Sequence, residues 1–205
     1  MTDVLGYAPI AATVFAIPQF LPQARKLSAT RDTAGLSWSW AVLTSVNNAA
    51  WIAYFALARD WTALIPSTSV TLMAGALAVM LTRRGQARPR PAALIGAWSV
   101  LLAAAGAVGG VVGLGTLLTA GFIVQVFPSI WTAYRTAQPT GVSAGTWTLI
   151  LAELACWLAF GLHVSDPRLI TLGAFGVAAS VLMLARVCWV TRVPPIRKAS
   201  RSAGA

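Results

Sequence analysis

The chain has 205 residues, of which 58% are hydrophobic and only 10% are charged. An ordinary soluble domain carries roughly 25% charged residues, so this chain has too little polar surface to cover a soluble fold. Its two cysteines have no metal-ligand spacing and cannot form a disulfide framework. The composition therefore predicts an integral membrane protein.

The net charge of +10 does not indicate a nucleic-acid partner. Basic residues fall in short clusters between apolar stretches, and they do not alternate with aromatic residues along a polar helix. With the N-terminus outside, 13 of the 15 Lys and Arg residues lie on the inner side, which is the pattern that orients membrane proteins. We expect a multi-pass protein of the cell (inner) membrane with a cytoplasmic C-terminus and a basic cytoplasmic tail, 192–205.

A bilayer-crossing helix needs about 20 mostly apolar residues. Breaking the chain at its polar clusters predicts seven such helices, 5–26, 38–58, 61–82, 92–110, 113–134, 146–163 and 168–190. We expect Ser37, Ser143 and Asp166 to cap the helices that follow them, and Asp60 is the expected cap of the third helix. The boundary at 109–113 carries no charge, so a tight turn is expected there.

An internal repeat sets the expected architecture. Sliding the chain on itself by 106 residues aligns 13–66 with 119–172 and gives 12 identities in 54 positions. Because a three-helix unit ends on the opposite side of the membrane, a second copy in the same orientation needs a linker helix between the two. We expect an all-α integral membrane fold with seven transmembrane helices. Two parallel three-helix repeats, 1–83 and 113–191, would be joined by a basic loop and linker helix, 84–112.

Two proline-centred motifs, each followed by a Gly-x-Ser segment, stand 106 residues apart. They comprise Pro22-Gln23 with Gly35 and Ser37, and Pro128-Ser129 with Gly141 and Ser143. These residues resemble the PQ-loop signature, although the second copy has serine in place of glutamine. The seven-helix arrangement is similar to that of the SWEET sugar transporters of the PQ-loop superfamily. The resemblance covers roughly residues 5–190 and implies a transporter, but neither repeat has the third-helix asparagine that sugar-transporting relatives tend to carry.

Pro22 and Pro128 fall within the first helix of each repeat, where a proline removes a backbone hydrogen bond and loosens the helix. They could form the hinge of a gate, which is what the resemblance implies for the proline beside Gln23, or they could be static kinks. Gln19 and Gln125 lie about one turn before these prolines. Their amides could line the solute path or satisfy the backbone groups that the prolines free.

Trp51 and Trp157 are the principal candidates for contact with a substrate. Trp51 lies 14 residues beyond Ser37, about 21 Å along a helix and still within a bilayer core of about 30 Å. Two deep indoles could stack on the apolar face of a sugar or another flat solute, or they could simply pack against helices or lipid. The tryptophans near helix ends are expected to be interfacial anchors, namely Trp38, Trp40, Trp61 and Trp189.

Asn47 and Glu153 each lie four residues before one of the deep tryptophans and share its helix face. Glu153 is the only carboxylate expected near the middle of the bilayer, where a charge is costly unless it is paired or protonated. It could couple transport to protons, contact the substrate, or lie neutral against Asn47. Asn47, Asn48, Ser67 and Ser69 could add hydrogen bonds to a solute, although serines also bond back to their own helices.

The favoured function is transport of a small neutral solute, with a sugar as the leading candidate, by alternating access through a site between the repeats. The alternatives are proton-coupled transport of an amino acid or organic solute through Glu153, and a non-transport sorting or interaction protein on the same fold. An enzyme is disfavoured because no nucleophile–base pair accompanies Glu153, and no cofactor or metal is expected. A retinal-type photoreceptor would need a lysine in its seventh helix. It is excluded because the only lysines, Lys26 and Lys198, lie outside the predicted seventh helix, 168–190. A homo-oligomer is left open.

Overall fold

The computed structural model describes residues 4–59, 61 and 63–192. Within these residues all regular structure is helical and begins with a 3₁₀ turn, Val4–Tyr7. The α-helical elements are α1 (Ala8–Ala16), α2 (Leu21–Thr30), α3 (Trp38–Ala58), α4 (Leu64–Thr82), α5 (Pro89–Arg135), α6 (Ala144–Val164) and α7 (Pro167–Arg192). Six apolar helical stretches are long enough to cross a bilayer, as expected of a multi-pass membrane protein. The predicted tail beyond Arg192 lies outside the described residues.

Helices α3 and α6 begin at the predicted serine caps. The Ser37 hydroxyl accepts a hydrogen bond from the N–H of Trp40 at 3.2 Å, and the Ser143 hydroxyl accepts one from the N–H of Thr146 at 3.4 Å. Both helices are 21 residues long, and each is followed by a residue in the left-handed conformation. Their first residues, like their last, are 106 positions apart, which is the offset of the sequence repeat.

The predicted start of α7 is confirmed, whereas α4 begins later than predicted. Asp166 caps α7 as predicted, because its carboxylate accepts a hydrogen bond from the N–H of Arg168 at 2.8 Å. Helix α4 begins at Leu64, three residues later than the sequence suggested, and the residue at its cap position is Ala63, which makes no side-chain cap. The expected cap, Asp60, lies outside the described residues.

The fourth and fifth predicted spans form one 47-residue element, α5, which is interrupted at Gly110. Its φ of 55° and ψ of −145° are non-helical and suit only glycine. Residues on the two sides of this break contact each other. Leu102 and Leu118 belong to one hydrophobic cluster, and a Cβ added to Gly121 would lie 2.3 Å from the ring of Trp98. The element therefore folds back at Gly110 as two antiparallel helical stretches.

The two halves of the chain share one hydrophobic core. Helix α3 packs along α4 and α5, and α6 packs along α7. Helix α1 contacts α6 and α4, and α5 also contacts α7. The main core cluster contains Phe20 and Trp40 from the first half together with Trp147 and Met183 from the second. Any space left within this core is therefore bounded by helices from both halves.

Most basic residues gather at one end of the helical bundle, which we call the arginine-rich end. It is formed by the segments 31–37, 83–88 and 136–143. Arg84 donates a hydrogen bond to the carbonyl of Arg31 at 3.1 Å, and Arg186 donates one to the carbonyl of Thr136 at 2.8 Å. These bonds tie neighbouring segments together and satisfy carbonyl groups near helix C-termini. The opposite end holds Gly110 and the turn before α7.

Candidate functional site

A cavity of about 100 Å³ lies between the helices of the two chain halves. Its wall combines aromatic rings with amides, hydroxyls and one carboxylate. The lining residues that could contact a solute are Gln19, Thr44, Asn48, Trp51, Ser67, Gln125, Glu153, Trp157 and Ser180. Apolar surface with a few placed polar groups is typical of small-molecule sites.

Most of the predicted site residues meet at this one cavity. Its wall includes seven of them, namely Gln19, Asn48, Trp51, Ser67, Gln125, Glu153 and Trp157. Ser69 does not line it, and its hydroxyl instead donates to the carbonyl of Ile17 at 3.4 Å. Pro22 and Gln23 also lie away from the wall, and Pro128 borders a separate apolar pocket near Pro91. Seven of the twelve predicted residues therefore line one cavity, and the other five lie elsewhere.

Trp51 and Trp157 both face the cavity from the far halves of α3 and α6. The Trp51 ring stacks on Phe55 at 5.4 Å between centroids and meets Tyr54 edge-on at 5.0 Å. The Trp157 ring meets Phe160 edge-on at 6.3 Å. These neighbours on the same helix hold each indole in place, and both indoles are half-buried. Part of each ring is therefore free to contact a solute.

Asn47 does not line the cavity but lies behind its wall, at 1% exposure. Its side-chain nitrogen donates to the Gln125 carbonyl oxygen at 2.9 Å, and its own oxygen accepts from the Trp98 indole N–H at 2.8 Å. Asn47 was expected among the solute-contacting residues, but it lies away from the cavity wall, and its amide bonds to Gln125 and Trp98 instead of to Glu153. Asn47 instead fixes the side chain of Gln125, which does line the cavity.

Glu153 lies in the cavity wall, as its position on α6 predicted. Its carboxylate is close enough to the side chains of Trp157 and Gln19 for hydrogen bonding. Since Trp157 is one helical turn further along α6, the acid and the indole share a face. In this position the carboxylate can accept a hydrogen bond from a hydroxyl or amine of a solute, or exchange a proton with water in the cavity.

Phe20, Trp40 and Trp147, which we call the aromatic floor, close the cavity toward the arginine-rich end. Trp40 stacks on Trp147 with ring centroids 5.3 Å apart, and Phe20 packs on Trp40 at 5.5 Å. Trp40 is only 4% exposed, so its prediction as an interfacial anchor is wrong. Its place near a helix end was misleading because the loops of the arginine-rich end cover it. Trp61 and Trp189, by contrast, are 65% and 70% exposed.

Gln23 joins helix α2 to the start of α6 beyond the aromatic floor. Its side-chain nitrogen donates to the carbonyl of Gly141 at 2.9 Å, and its oxygen accepts from the N–H of Ser143 at 2.8 Å. Its backbone N–H donates to the Thr146 hydroxyl at 3.0 Å. The buried side-chain amide of Gln23, in the first half of the chain, therefore supplies hydrogen bonds to two backbone groups of the loop before α6, in the second half.

The loops 31–37 and 136–143 also contact each other directly. The N–H of Gly141 donates to the carbonyl of Ala34 at 2.9 Å. Gly35 has a φ of 80°, and a Cβ there would lie 2.4 Å from Pro139, so only glycine fits this contact. Together with Gln23, these contacts seal the arginine-rich end of the cavity.

Asp32 adds a polar contact between the two loops. Its carboxylate accepts hydrogen bonds from the Thr140 hydroxyl at 2.6 Å and from the N–H of Ala34 at 2.8 Å. These two bonds, with the positive charge of Lys26, hold the pKa of Asp32 below its ordinary value of 3.8. The ionised side chain is therefore the form that stabilises the loop contact.

The two predicted hinge prolines lie in different local structures. Pro22 is in the first turn of α2, after an interruption at 17–20 that separates α1 from α2. Pro128 lies inside α5 with no interruption of the helix. The difference follows from Pro18, because two prolines close together remove two backbone donors, whereas Pro128 removes one. The helix is therefore interrupted beside Pro22 in the first half but is continuous at Pro128 in the second half.

Thr44 and Ser180 line the cavity and were missed by sequence reasoning. Both are buried, and neither hydroxyl has a hydrogen-bond partner among the described residues. The repeat gave no signal for them, because the positions 106 residues away are Ile150 and Ala74. Serine and threonine are common inside apolar helices. Only the packed structure shows that these two hydroxyls line the cavity without a hydrogen-bond partner among the described residues.

No protein-family model matches the chain, and no curated protein matches it. The resemblance to the PQ-loop superfamily therefore rests on the motif residues themselves.

Proposed function

We propose that this protein is a membrane transporter that moves a small neutral solute, with sugars as the leading class, through the cavity between its two halves. The observation that carries the proposal is the cavity wall, where two indoles stand beside several hydrogen-bonding side chains. A sugar ring has an apolar face that stacks on an indole and hydroxyls that need donors and acceptors. Solute sites of transporters built from repeats lie at the interface between the repeats.

The proposal includes seven crossings and two parallel three-helix repeats. The reversal at Gly110 makes α5 cross twice, which adds the seventh crossing to the six apolar stretches. In the repeat, α1 corresponds to the second stretch of α5, α3 to α6, and α4 to α7. The contacts correspond in the same way, since α1 contacts α6 and α4 while α5 contacts α3 and α7. With seven crossings, the arginine-rich end is cytoplasmic and the N-terminus is outside, in agreement with the positive-inside rule.

Alternating access requires the cavity to open at each end in turn. At the arginine-rich end, the aromatic floor and the loops close it, while residues toward the opposite end, such as Trp51 and Phe55, are half-buried. We assign this arrangement to a state closed toward the cytoplasm. The interruption at 17–20, next to Pro22, supplies a hinge by which α2 and its Gln23 contacts move away from α6.

A second candidate function is proton-coupled transport, and the placement of Glu153 in the cavity wall favours it. A carboxylate beside the solute can take up a proton on one side of the membrane and release it on the other. In that case Glu153→Gln, which keeps the shape and removes the titration, abolishes dependence on a pH gradient while solute exchange continues.

Uptake by reconstituted vesicles tests both candidates. Vesicles with the purified protein are given radiolabelled D-glucose, sucrose, alanine or glutamine, with and without a pH gradient, and protein-free vesicles are the control. We expect saturable sugar uptake that does not depend on the gradient and is unchanged in this respect by Glu153→Gln. Gradient-driven amino-acid uptake that Glu153→Gln abolishes would favour proton coupling. Uptake no faster than in protein-free vesicles would contradict both transport proposals and would favour a sorting or interaction protein.

A further inference from the structure

We propose that Thr44 and Ser180, here called the hydroxyl pair, make a second set of contacts with the solute. The pair lies in the cavity between Trp51 and Trp157 on one side and the aromatic floor on the other. The hydroxyl pair takes a neutral, hydroxyl-bearing group such as one end of a sugar, and this inference rests on the proposed function. Both side chains line the cavity, and at 4% and 0% exposure both are almost completely buried.

The two hydroxyls differ from the other helical hydroxyls of the protein. Nine threonines and one serine donate to the carbonyl four residues earlier, which is how apolar helices usually satisfy a hydroxyl. The hydroxyls that do so are those of Thr13, Thr30, Thr71, Thr82, Ser99, Thr119, Thr132, Thr136, Thr148 and Thr171. Thr44 and Ser180 have this option on their own helices, yet neither hydroxyl has a partner among the described residues.

An unpartnered buried hydroxyl is unfavourable unless a ligand or water satisfies it. Each hydroxyl offers one donor and two acceptor positions, and neither carries a charge. Two such groups in the wall of one cavity are therefore suited to the hydroxyls of a neutral solute, which also donate and accept. The unmet hydrogen bonds are the reason to assign the pair to ligand contact.

The two residues lie at a similar depth on two different helices, α3 and α7. Thr44 is 14 residues from the end of α3 at Ala58, about 21 Å at the helical rise. Ser180 is 13 residues from the start of α7 at Pro167, about 20 Å from the same end of the bundle. Trp51 lies two turns nearer that end, whereas Trp40 of the aromatic floor is one turn beyond Thr44. The hydroxyl pair is thus placed to contact a solute immediately before the floor opens.

Equilibrium binding of radiolabelled D-glucose and sucrose to the purified full-length protein in detergent tests the assignment. Thr44→Val and Ser180→Ala keep side-chain volume nearly unchanged and remove only the hydroxyl. We expect each to weaken the binding of at least one sugar by about fivefold, the effect of one lost hydrogen bond. The matched controls are Thr148→Val and Ser99→Ala, whose hydroxyls bond to their own helices outside the cavity. They should bind both sugars as the wild type does.

Thermal stability without sugar provides a second readout. Thr44→Val and Ser180→Ala should leave the Tm unchanged or raise it, because no internal hydrogen bond is lost. Thr146→Val should lower the Tm, since its buried hydroxyl accepts a bond from the N–H of Gln23.

Three results would overturn the hydroxyl pair. They are wild-type affinity in both variants, a Tm loss in both as large as that of Thr146→Val, and no binding of either sugar to the wild-type protein. Vesicle uptake separates this outcome from failure of the proposed function. Sugar uptake with unaffected variants rejects the pair alone, whereas hydroxyl-dependent binding without any uptake rejects transport alone.

Discussion

Asn47 and Asn48 are adjacent in the sequence but face different surroundings. Asn47 is enclosed, and its amide is bonded to Gln125 and to the Trp98 indole. Asn48 lines the cavity, and its side-chain nitrogen donates to the carbonyl of Thr44 on its own helix at 2.9 Å. Successive helical residues point about 100° apart, so one asparagine can stabilise the fold while its neighbour meets the solute.

We predict that Asn47→Leu destabilises the protein by about 1–3 kcal/mol, because it leaves the Gln125 carbonyl and the Trp98 N–H unpaired. Asn48→Leu should change the Tm much less and should weaken solute binding instead. Thermal unfolding in detergent and sugar binding, measured on both variants, check this contrast. Equal Tm losses in the two variants would contradict the separate roles.

Among the structural elements, the loops 31–37 and 136–143 contact each other through Asp32, and we expect the stability of this contact to depend on pH. Since hydrogen bonds lower the pKa of Asp32 from 3.8, folding favours its ionised form. The stabilisation is fully present above that ordinary value and is lost as the pH falls through the lowered pKa. We therefore predict that Asp32→Asn has a lower Tm than the wild type near neutral pH. The gap should narrow below about pH 4. A gap that stays constant down to about pH 3 would show that the charge of Asp32 is irrelevant.

The interruption between α1 and α2 leads to a prediction about the hinge. Pro22→Ala restores a backbone donor beside the interruption and should let α1 and α2 join more continuously. We expect it to slow uptake several-fold while sugar affinity stays near that of the wild type. Pro128→Ala, in an uninterrupted helix, is the matched control and should have a smaller effect on the rate. Larger slowing by Pro128→Ala would place the moving element in α5 instead.

Much of the helical organisation was predictable from the sequence. Serine caps, apolar lengths and the glycine turn gave the helices, because these signals act over a few neighbouring residues. Which residues meet across helices was less predictable, as Trp40 and Asn47 show. Helical periodicity defines a face, but in a bilayer both lipid and protein interior are apolar, so the sequence does not reveal which one that face meets. Trp51 and Trp157 were located because polar neighbours on the same face and the repeat pointed to the same positions.

For the whole molecule, the proposal of seven crossings depends on the reversal at Gly110. In a variant without native cysteines, Gly109→Cys should react with a membrane-impermeant thiol reagent from the same side as His163→Cys. Gln138→Cys, at the arginine-rich end, should react only from the other side. Gly109 is suited to this substitution because a Cβ there meets no atom within 4 Å. Labelling of Gly109→Cys and Gln138→Cys from one side would contradict seven crossings.

We propose that a solute crosses the membrane through the cavity between the two halves. The most direct test is the initial rate of sugar uptake by vesicles with Trp51→Ala, Trp157→Ala or the exposed control Trp189→Ala, at equal amounts of folded protein. Because one stacking contact contributes about 1 kcal/mol or more, we predict that each cavity variant lowers uptake at subsaturating sugar by at least about fivefold. Trp189→Ala should match the wild type. Equal rates in all three variants and the wild type would show that the solute does not pass through this cavity.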